Sequence, residues 1–205
     1  MTTPAGGAPA DIVNDLVDDL APDNAAAENA GAATPFDEND APSATELVEA
    51  APAMVHSAPR VVLVGMPGSG KSTLAEAVAA RLDDAVLVPM DGFHLDNRVL
   101  SARDLLARKG AVETFDAEGF AALVERLAVP NSEVVFPVFD RDREIAVGGA
   151  GVVMPHHRIV VIEGNYLLLD AAPWNRLRYD LRIWLDVPEA ELERRLTARW
   201  QGYGK

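Results

Sequence analysis

Cysteine is absent from this chain of 205 residues, so neither a disulfide framework nor a cysteine-ligated metal site can form. Long apolar runs are lacking as well, and no stretch approaches the roughly 18 consecutive apolar residues of a membrane-spanning helix. The first residues also lack the basic segment and apolar run that a secretory signal would require. Together these absences predict a soluble, cytoplasmic protein with no membrane partner.

Lysine and arginine are missing from residues 1–58, which hold eleven acidic residues and one aromatic residue, Phe36. Such a segment, rich in alanine and proline, offers too little apolar surface to offset the entropy cost of ordering. We therefore predict a disordered acidic tail over residues 1–58 and one folded domain over residues 59–205. The domain holds 21 acids and 18 bases, and this net charge of −3 gives no attraction for nucleic acid.

One alternative within the tail is a short amphipathic helix. Ile12, Leu16 and Leu20 are spaced by four residues, and acidic residues fill the opposite face of such a helix. This segment could fold when it binds a partner.

Strand and helix patterns alternate through the folded domain. The predicted strands cover residues 61–64, 85–90, 133–139, 159–163 and 181–187. The predicted helices cover residues 72–82, 103–108, 117–127 and 189–200. Pro137 places its strand at a sheet edge, and Gly148 with Gly149 indicates a hairpin within residues 145–154. This order predicts an α/β fold with a mostly parallel sheet sandwiched by helices.

A glycine-rich segment joins the first predicted strand to the first predicted helix. It reads Gly65-Met66-Pro67-Gly68-Ser69-Gly70-Lys71-Ser72, followed by Thr73, and matches G-x-x-x-x-G-K-[ST] at every fixed position. Its glycines let backbone amides approach phosphates, and the following helix presents its positive end to the same anions. Lys71 supplies a cation for the β- and γ-phosphates, and Ser72 supplies a hydroxyl ligand for Mg²⁺. The segment predicts a P-loop NTPase fold that binds ATP with Mg²⁺.

The phosphate loop alone does not separate kinases from GTPases, motors and transport ATPases. The chain has no Asn-Lys-x-Asp sequence to read guanine and no Leu-Ser-Gly-Gly-Gln transporter signature. The domain is also small, which favours a kinase that acts on a nucleotide or another metabolite.

Two further blocks are more specific, Met90–Asn97 (MDGFHLDN) and Val160–Asp170 (VVIEGNYLLLD). With these blocks the chain resembles the phosphoribulokinase/uridine kinase family, which includes the bacterial pantothenate kinases. It looks most like a bacterial branch of nucleoside- or sugar-kinase-like proteins. The resemblance covers nearly all of residues 60–200 through those blocks and through Gly65–Thr73, Gly110–Phe120, Phe136–Glu144 and Leu192–Trp200. It implies an ATP-dependent phosphotransferase with an alcohol group as acceptor.

Two carboxylates are expected at the catalytic centre. Asp91 follows the second strand and should lie at its carboxyl end, where open α/β sheets bind ligands. A carboxylate there can accept the proton of an attacking hydroxyl and help to place Mg²⁺. The resemblance makes Asp91 the catalytic base, and an ordinary turn aspartate is the alternative. Glu163 ends an apolar strand and resembles a Walker B acid that holds Mg²⁺ directly or through water. An acidic residue at a strand end is the alternative for Glu163.

The resemblance also implies an acceptor site and a lid. The acceptor-site residues would be His94, Asn97, Asp140, Arg141, Arg143, Asn165 and Tyr166. The lid arginines would be Arg195 and Arg199, which lie four apart on the last helix and would neutralise charge on the transferred phosphoryl group. The alternatives are a solvated, self-paired loop for the acceptor segment and an exposed Glu191–Arg195 pair for the helix.

These features predict that the chain moves the γ-phosphoryl group of ATP to a hydroxyl of a nucleoside, a sugar or a pantothenate-like small molecule. A catalytically inactive nucleotide-binding regulatory protein and a stand-alone ATPase are the alternatives, and a homodimer stays open. Family members usually continue beyond the lid helix with another helix and a strand. Because the chain stops at Lys205, we expect a C-terminally truncated kinase domain.

Overall fold

A mostly parallel sheet positions the phosphate loop, Asp91 and Glu163 at the carboxyl ends of its strands. The computed structural model describes residues 16–17, 45–46, 48–50, 60–129 and 131–202. The strands are β1 (Leu16–Val17), β2 (Arg60–Gly65), β3 (Ala85–Pro89), β4 (Val134–Asp140), β5 (Ile145–Val153), β6 (Ile159–Gly164) and β7 (Leu181–Leu185). The main sheet has the order β1-β7-β2-β6-β3, in which β1 is antiparallel and the other four strands are parallel.

Helices alternate with these strands as the sequence predicts. Within residues 60–202 they are α1 (Lys71–Arg81), α2 (Asn97–Ala102), α3 (Ala117–Leu127) and α4 (Glu189–Gly202). Short 3-10 turns occupy Met90–Phe93, Leu106–Arg108, Val112–Thr114 and Trp174–Arg176. The α/β fold is confirmed, and all predicted strands and three of the four predicted helices are confirmed to within two residues at each end. In the described parts of the chain, no helix has the length and apolar character needed to cross a membrane.

Both faces of the sheet are buried, which explains why its strands are apolar without alternation. On one face, Val61 belongs to the apolar cluster that α1 covers through Val78. On the opposite face, Val62 belongs to the cluster that α3 covers through the fully buried Phe120. Because packing on both faces fixes the strands, the loops that follow their carboxyl ends start from fixed positions.

The helix predicted over residues 103–108 is wrong, because the chain forms α2 earlier. Asp96 caps that helix, and its carboxylate accepts a hydrogen bond from the Arg98 amide at 2.8 Å. After α2 ends, Asp104 takes a left-handed backbone conformation with φ 55°, which is incompatible with a continuing helix. Only the 3-10 turn Leu106–Arg108 occupies part of the predicted range.

The hairpin predicted within residues 145–154 is also wrong, because this segment is one strand, β5, paired antiparallel with β4. The register passes from Phe136 opposite Gly151 to Val138 opposite Val147, so residues 148–150 bulge from β5 opposite Pro137. Gly149 takes the left-handed conformation of that bulge, with φ 72°. The edge position predicted from Pro137 is confirmed, since β4 and β5 form a two-stranded sheet of their own.

The predicted disordered tail, residues 1–58, falls mostly outside the described residues. Residues 45–46 and 48–50 are helical, and Val48 packs against the apolar cluster that contains Val61. Leu16–Val17 form β1, with Leu16 opposite Ile183 of β7. These two positions are extended here, and the helix expected when the segment binds a partner stays a prediction. An open sheet edge offers unpaired backbone groups, and an extended apolar segment can satisfy them.

Gly92, in the turn after β3, lies directly against the backbone of β4. A Cβ at this position would overlap the carbonyl oxygen of Pro137 and lie 3.1 Å from the Val138 nitrogen. We expect Gly92→Ala to lower the free energy of unfolding by about 1–3 kcal/mol, because rigid backbone would have to move. Chemical denaturation of the two proteins measures this difference.

Gly148→Ala is the matched control, since nothing lies within 4 Å of a Cβ there. It should leave the free energy of unfolding within about 0.5 kcal/mol of the original protein. Equal losses in the two variants would contradict the packing argument for Gly92.

Candidate active site

The glycine-rich loop leaves the central strand β2 and enters α1 at Lys71. Gly68 and Gly70 have φ values of 88° and 94°, a left-handed conformation that glycine adopts without strain. The Ser69 amide donates to the Met66 carbonyl at 3.0 Å and closes a tight turn between them. The loop therefore wraps around the amino end of α1, where unpaired helix amides favour an anion.

Glu163 is the buried carboxylate of this site and is 4% exposed near the carboxyl end of β6. Its Oε2 accepts a hydrogen bond from the Ser72 hydroxyl at 3.2 Å and lies 4.0 Å from the Lys71 ammonium nitrogen. Burial raises the pKa of Glu163, and the charge of Asp91 adds to the rise, while Lys71 and Ser72 oppose it. The Glu163 carboxylate thus lies beside the Lys71 ammonium and the Ser72 hydroxyl.

Asp91 lies in the turn after β3, the strand beside β6, where Pro89 is the register partner of Glu163. Its Oδ2 accepts a hydrogen bond from Nη2 of Arg141 at 2.7 Å. The Asp91 side chain is 21% exposed and that of Arg141 is 65% exposed. Asp91 is therefore a carboxylate at the rim of the site, with one oxygen covered by an arginine from the turn between β4 and β5.

His94 lies between the Asp91 turn and the β4–β5 sheet. Its Nδ1 donates to the Asp91 carbonyl at 2.9 Å, so the neutral ring presents Nε2 as a hydrogen-bond acceptor. The ring packs against Phe115 and Phe139, with centroid distances of 4.0 and 4.9 Å. Burial lowers the pKa of His94 below its ordinary value, although the hydrogen bond to Asp91 opposes that shift. The imidazole thus connects the Asp91 turn to the rings of Phe115 and Phe139.

The charged residues of the acceptor segment divide into two kinds. Arg141 reaches across to Asp91, as described above. Arg143 instead pairs with Asp140 within the turn, with Nε 2.7 Å from Oδ2 and the Arg143 amide 2.9 Å from Oδ1. The self-paired alternative therefore describes Asp140 and Arg143, while Arg141 is brought to the Asp91 carboxylate.

The amide and phenol side chains expected at the acceptor site lie around a neighbouring loop. Asn97 begins α2, and its Oδ1 accepts a hydrogen bond from the Lys109 ammonium at 2.9 Å. The Tyr166 hydroxyl donates to the Gly110 carbonyl at 2.7 Å. Asn165 follows β6 with a buried Oδ1 that has no hydrogen-bond partner among the described residues.

Lys109 was not predicted as a residue of this region. Its partners come from distant parts of the chain, and they include Asn97 and Glu144. A single lysine before a glycine has no spacing that signals such contacts. Its place beside Gly110–Phe120, one of the blocks that carry the family resemblance, was the available hint.

The last helix, α4, lies against the phosphate loop. Nη1 of Arg195 is 3.3 Å from the carbonyl oxygens of both Gly68 and Ser69, and its Nε donates to Glu191 at 2.6 Å. Hydrogen bonds from Arg194 and then Arg195 lower the pKa of Glu191 to about 2. The Glu191–Arg195 pair exists, and it connects the helix to the loop.

Leu196 of α4 also packs beside the loop. A Cβ at Gly68 would lie 3.2 Å from the Leu196 Cγ. Arg199, the second predicted lid residue, also lies in α4, and its side chain is outside the described part of the structure.

The loop and its surroundings fit phosphates and Mg²⁺. Among the described residues, the buried Oγ of Ser69 has no hydrogen-bond partner. Any Cβ at Gly65 would lie 2.6 Å from that oxygen, so the loop needs glycine there. Ser72 and Glu163 provide oxygen atoms, the ligands that Mg²⁺ prefers, and phosphates usually supply several of its other ligands. In the described ranges, no group of three or more His, Asp or Glu residues is placed so that it could hold a metal ion by itself.

A family model described as an AAA domain matches residues 61–205. Over 182 residues the chain is 35% identical to a provisionally named uridine kinase of Schizosaccharomyces pombe, and the match covers 80% of this chain and 76% of that protein. It is 30% identical over 149 residues to a pantothenate kinase of Streptomyces coelicolor, a match that covers 64% of this chain. The chain spans 45% of the length of that second relative.

A solved structure shows the same architecture. It is a provisionally named fructose transport system kinase from Silicibacter sp. TM1040, with a TM-score of 0.71 and 47% sequence identity. The match covers 78% of this chain and 83% of that chain. The chain belongs to the family that the AAA domain model describes, and it is a member of the phosphoribulokinase/uridine kinase family of P-loop kinases.

Proposed function

We propose that this P-loop kinase transfers the γ-phosphoryl group of ATP to a hydroxyl group of a sugar, a nucleoside or a pantothenate-like alcohol. The observation that carries the proposal is the convergence of Lys71, Glu163 and Asp91 after three neighbouring strands, β2, β6 and β3. A protein that only binds a nucleotide needs the loop but not a rim carboxylate beside it. The names of the similar proteins suggest fructose, uridine and pantothenate as the first acceptors to test.

The donor side of the proposed reaction uses the phosphate loop. Backbone amides of the loop and of the first turn of α1 surround the phosphates, and Lys71 places its ammonium beside them. Mg²⁺ bound near Ser72 and Glu163 would neutralise negative charge on the phosphates. Arg195 contacts the carbonyl oxygens of the loop residues Gly68 and Ser69. Arg199 is proposed to add positive charge from the same helix.

On the acceptor side, Asp91 takes the proton of the attacking hydroxyl. The acceptor oxygen forms a bond to the γ-phosphorus while the bond to the bridging oxygen of ADP breaks, and ADP keeps that electron pair. Arg141 and His94 lie beside Asp91 and can contact further oxygen atoms of the acceptor. Because positioning and electrostatics supply the catalysis, no covalent enzyme intermediate is needed.

The test is ADP release from ATP and Mg²⁺ in the presence of fructose and other sugars, uridine and other nucleosides, or pantothenate. We expect one class of acceptor to stimulate release and to yield a phosphorylated product by mass spectrometry. Lys71→Ala is the control and should show no stimulation. ATP binding without transfer to any acceptor would contradict the proposal and favour the regulatory alternative, whereas release independent of acceptor would favour the ATPase.

A further inference from the structure

Lys109 joins segments that surround the acceptor side of the site. Its ammonium donates to Oδ1 of Asn97 at 2.9 Å and to the carbonyl oxygen and Oε2 of Glu144 at 3.0 and 3.3 Å. It also lies 5.1 Å from the ring centroid of Phe139. Lysine side chains are usually solvated, but this one is only 17% exposed. The ammonium thus connects the start of α2 to the turn between β4 and β5.

Glu144, the partner of Lys109 in this turn, has an unfavourable backbone conformation. Glu144 has φ 56°, a left-handed conformation that costs energy for a residue other than glycine. Lys109 bonds to both the backbone and the side chain of Glu144, so it stabilises the turn in this conformation. Arg141 begins the same turn and donates to Asp91 at 2.7 Å. The placement of Arg141 therefore depends on how the turn is held.

Lys109 is itself fixed relative to the strand that carries Glu163. The next residue, Gly110, has φ 104°, and its carbonyl accepts the hydrogen bond from Tyr166 at 2.7 Å. Tyr166 follows β6, so this bond ties the Lys109 loop to the carboxyl end of that strand. A continuous set of contacts thus runs from the end of β6 to the turn between β4 and β5.

We propose that Lys109 is a positioning residue of the acceptor site, which fixes the β4–β5 turn and thereby sets Arg141 against Asp91. Three oxygen acceptors, from Asn97 and Glu144, match the three donors of an ammonium group. The catalytic consequence rests on the proposed function, but the ordering of the turn does not.

The first experiment measures that ordering without any substrate. The chain has no cysteine, so Asp142→Cys places a single spin label on the exposed turn. We expect Lys109→Met to narrow the electron paramagnetic resonance line of this label, because methionine keeps the apolar stem but loses all three donors. Arg158→Met is the matched control, since it removes an exposed cation that pairs with Asp84 on another part of the surface. It should leave the line shape unchanged.

The second experiment measures steady-state kinetics with the acceptor found in the screen. Lys109→Met should lower kcat/KM for the acceptor about 10- to 100-fold, because the acceptor side loses its alignment. The KM for ATP should stay within about twofold, since Lys109 does not contact the phosphate loop. If Lys109 only stabilised the fold, kcat/KM would fall for the acceptor and for ATP alike. Circular dichroism and ATP binding show whether the variant is folded.

An unchanged spin-label line shape in folded Lys109→Met would overturn the inference, as would equal losses for ATP and acceptor. If the unsubstituted protein phosphorylates no acceptor, the proposed function fails, and the spin-label result still decides whether Lys109 holds the turn. If Lys109→Met does not fold, Glu144→Ala carries the same test. It keeps the backbone contact and should loosen the turn to a smaller degree.

Discussion

Replacing Asp91 with asparagine is expected to lower kcat by about 10²- to 10⁴-fold while ATP binding stays within about twofold of the original protein. Asparagine has nearly the same shape and can still accept a hydrogen bond from Arg141, but it cannot take a proton from the attacking hydroxyl. The loss should therefore fall on the chemical step. Single-turnover product formation and equilibrium ATP binding measure the two quantities separately.

Asp83→Asn serves as the control for this variant, because Asp83 is an exposed aspartate after α1 and gives the same change of charge. It should leave kcat within about twofold, as expected for a surface substitution away from the site. Full turnover by Asp91→Asn would exclude Asp91 as the base and would leave it only a role in contacting Arg141.

Glu163→Gln is expected to impair catalysis and to stabilise the nucleotide-free protein at the same time. Activity should fall on the order of 10- to 100-fold, because Ser72 and Lys71 lose the anion that orients them. Stability should rise at pH 8, because burial raises the pKa of Glu163 and the folded state therefore disfavours its charged form. A neutral amide of similar shape avoids that cost.

The pH dependence gives the second half of this test. A carboxyl whose pKa is raised on folding binds its proton more tightly in the folded state, so it destabilises the protein increasingly as pH rises through its titration range. The melting temperature of Glu163→Gln should exceed that of the original protein at pH 8, and the gap should narrow toward pH 5. Lower stability of the variant at pH 8 would mean that the ion pair with Lys71 outweighs the cost of burial.

Local sequence signals were sufficient wherever a residue's neighbours in the chain determine its structure. The loop from Gly65 to Ser72 was predictable because its function requires glycine, lysine and serine at fixed spacing between a strand and a helix. The run of apolar residues before Glu163 identified β6, and Pro188 marked the start of α4, which begins at Glu189.

Predictions from the sequence were wrong or missing where distant contacts or helix caps decide the structure. The helix expected over residues 103–108 does not form, because Asp96 caps a helix that begins earlier, at Asn97. Gly148 and Gly149 indicated a turn, yet they form the bulge that accommodates Pro137 in the opposite strand. The partners of Lys109 lie 12 and 35 residues away, so no local pattern could have revealed them.

The hydrogen bond between Arg141 and Asp91 bears on how such an enzyme would avoid wasting ATP. A water molecule that takes the place of Arg141 at Oδ2 of Asp91 breaks a charge-assisted hydrogen bond, and it can return only one acceptor oxygen to the arginine. A polyhydroxylated acceptor can present one hydroxyl to Asp91 and further oxygen atoms to the arginine, so it compensates for the contact that it breaks. For the proposed reaction, this pairing would favour transfer over futile hydrolysis through exchange of partners, without requiring the site to exclude every water molecule.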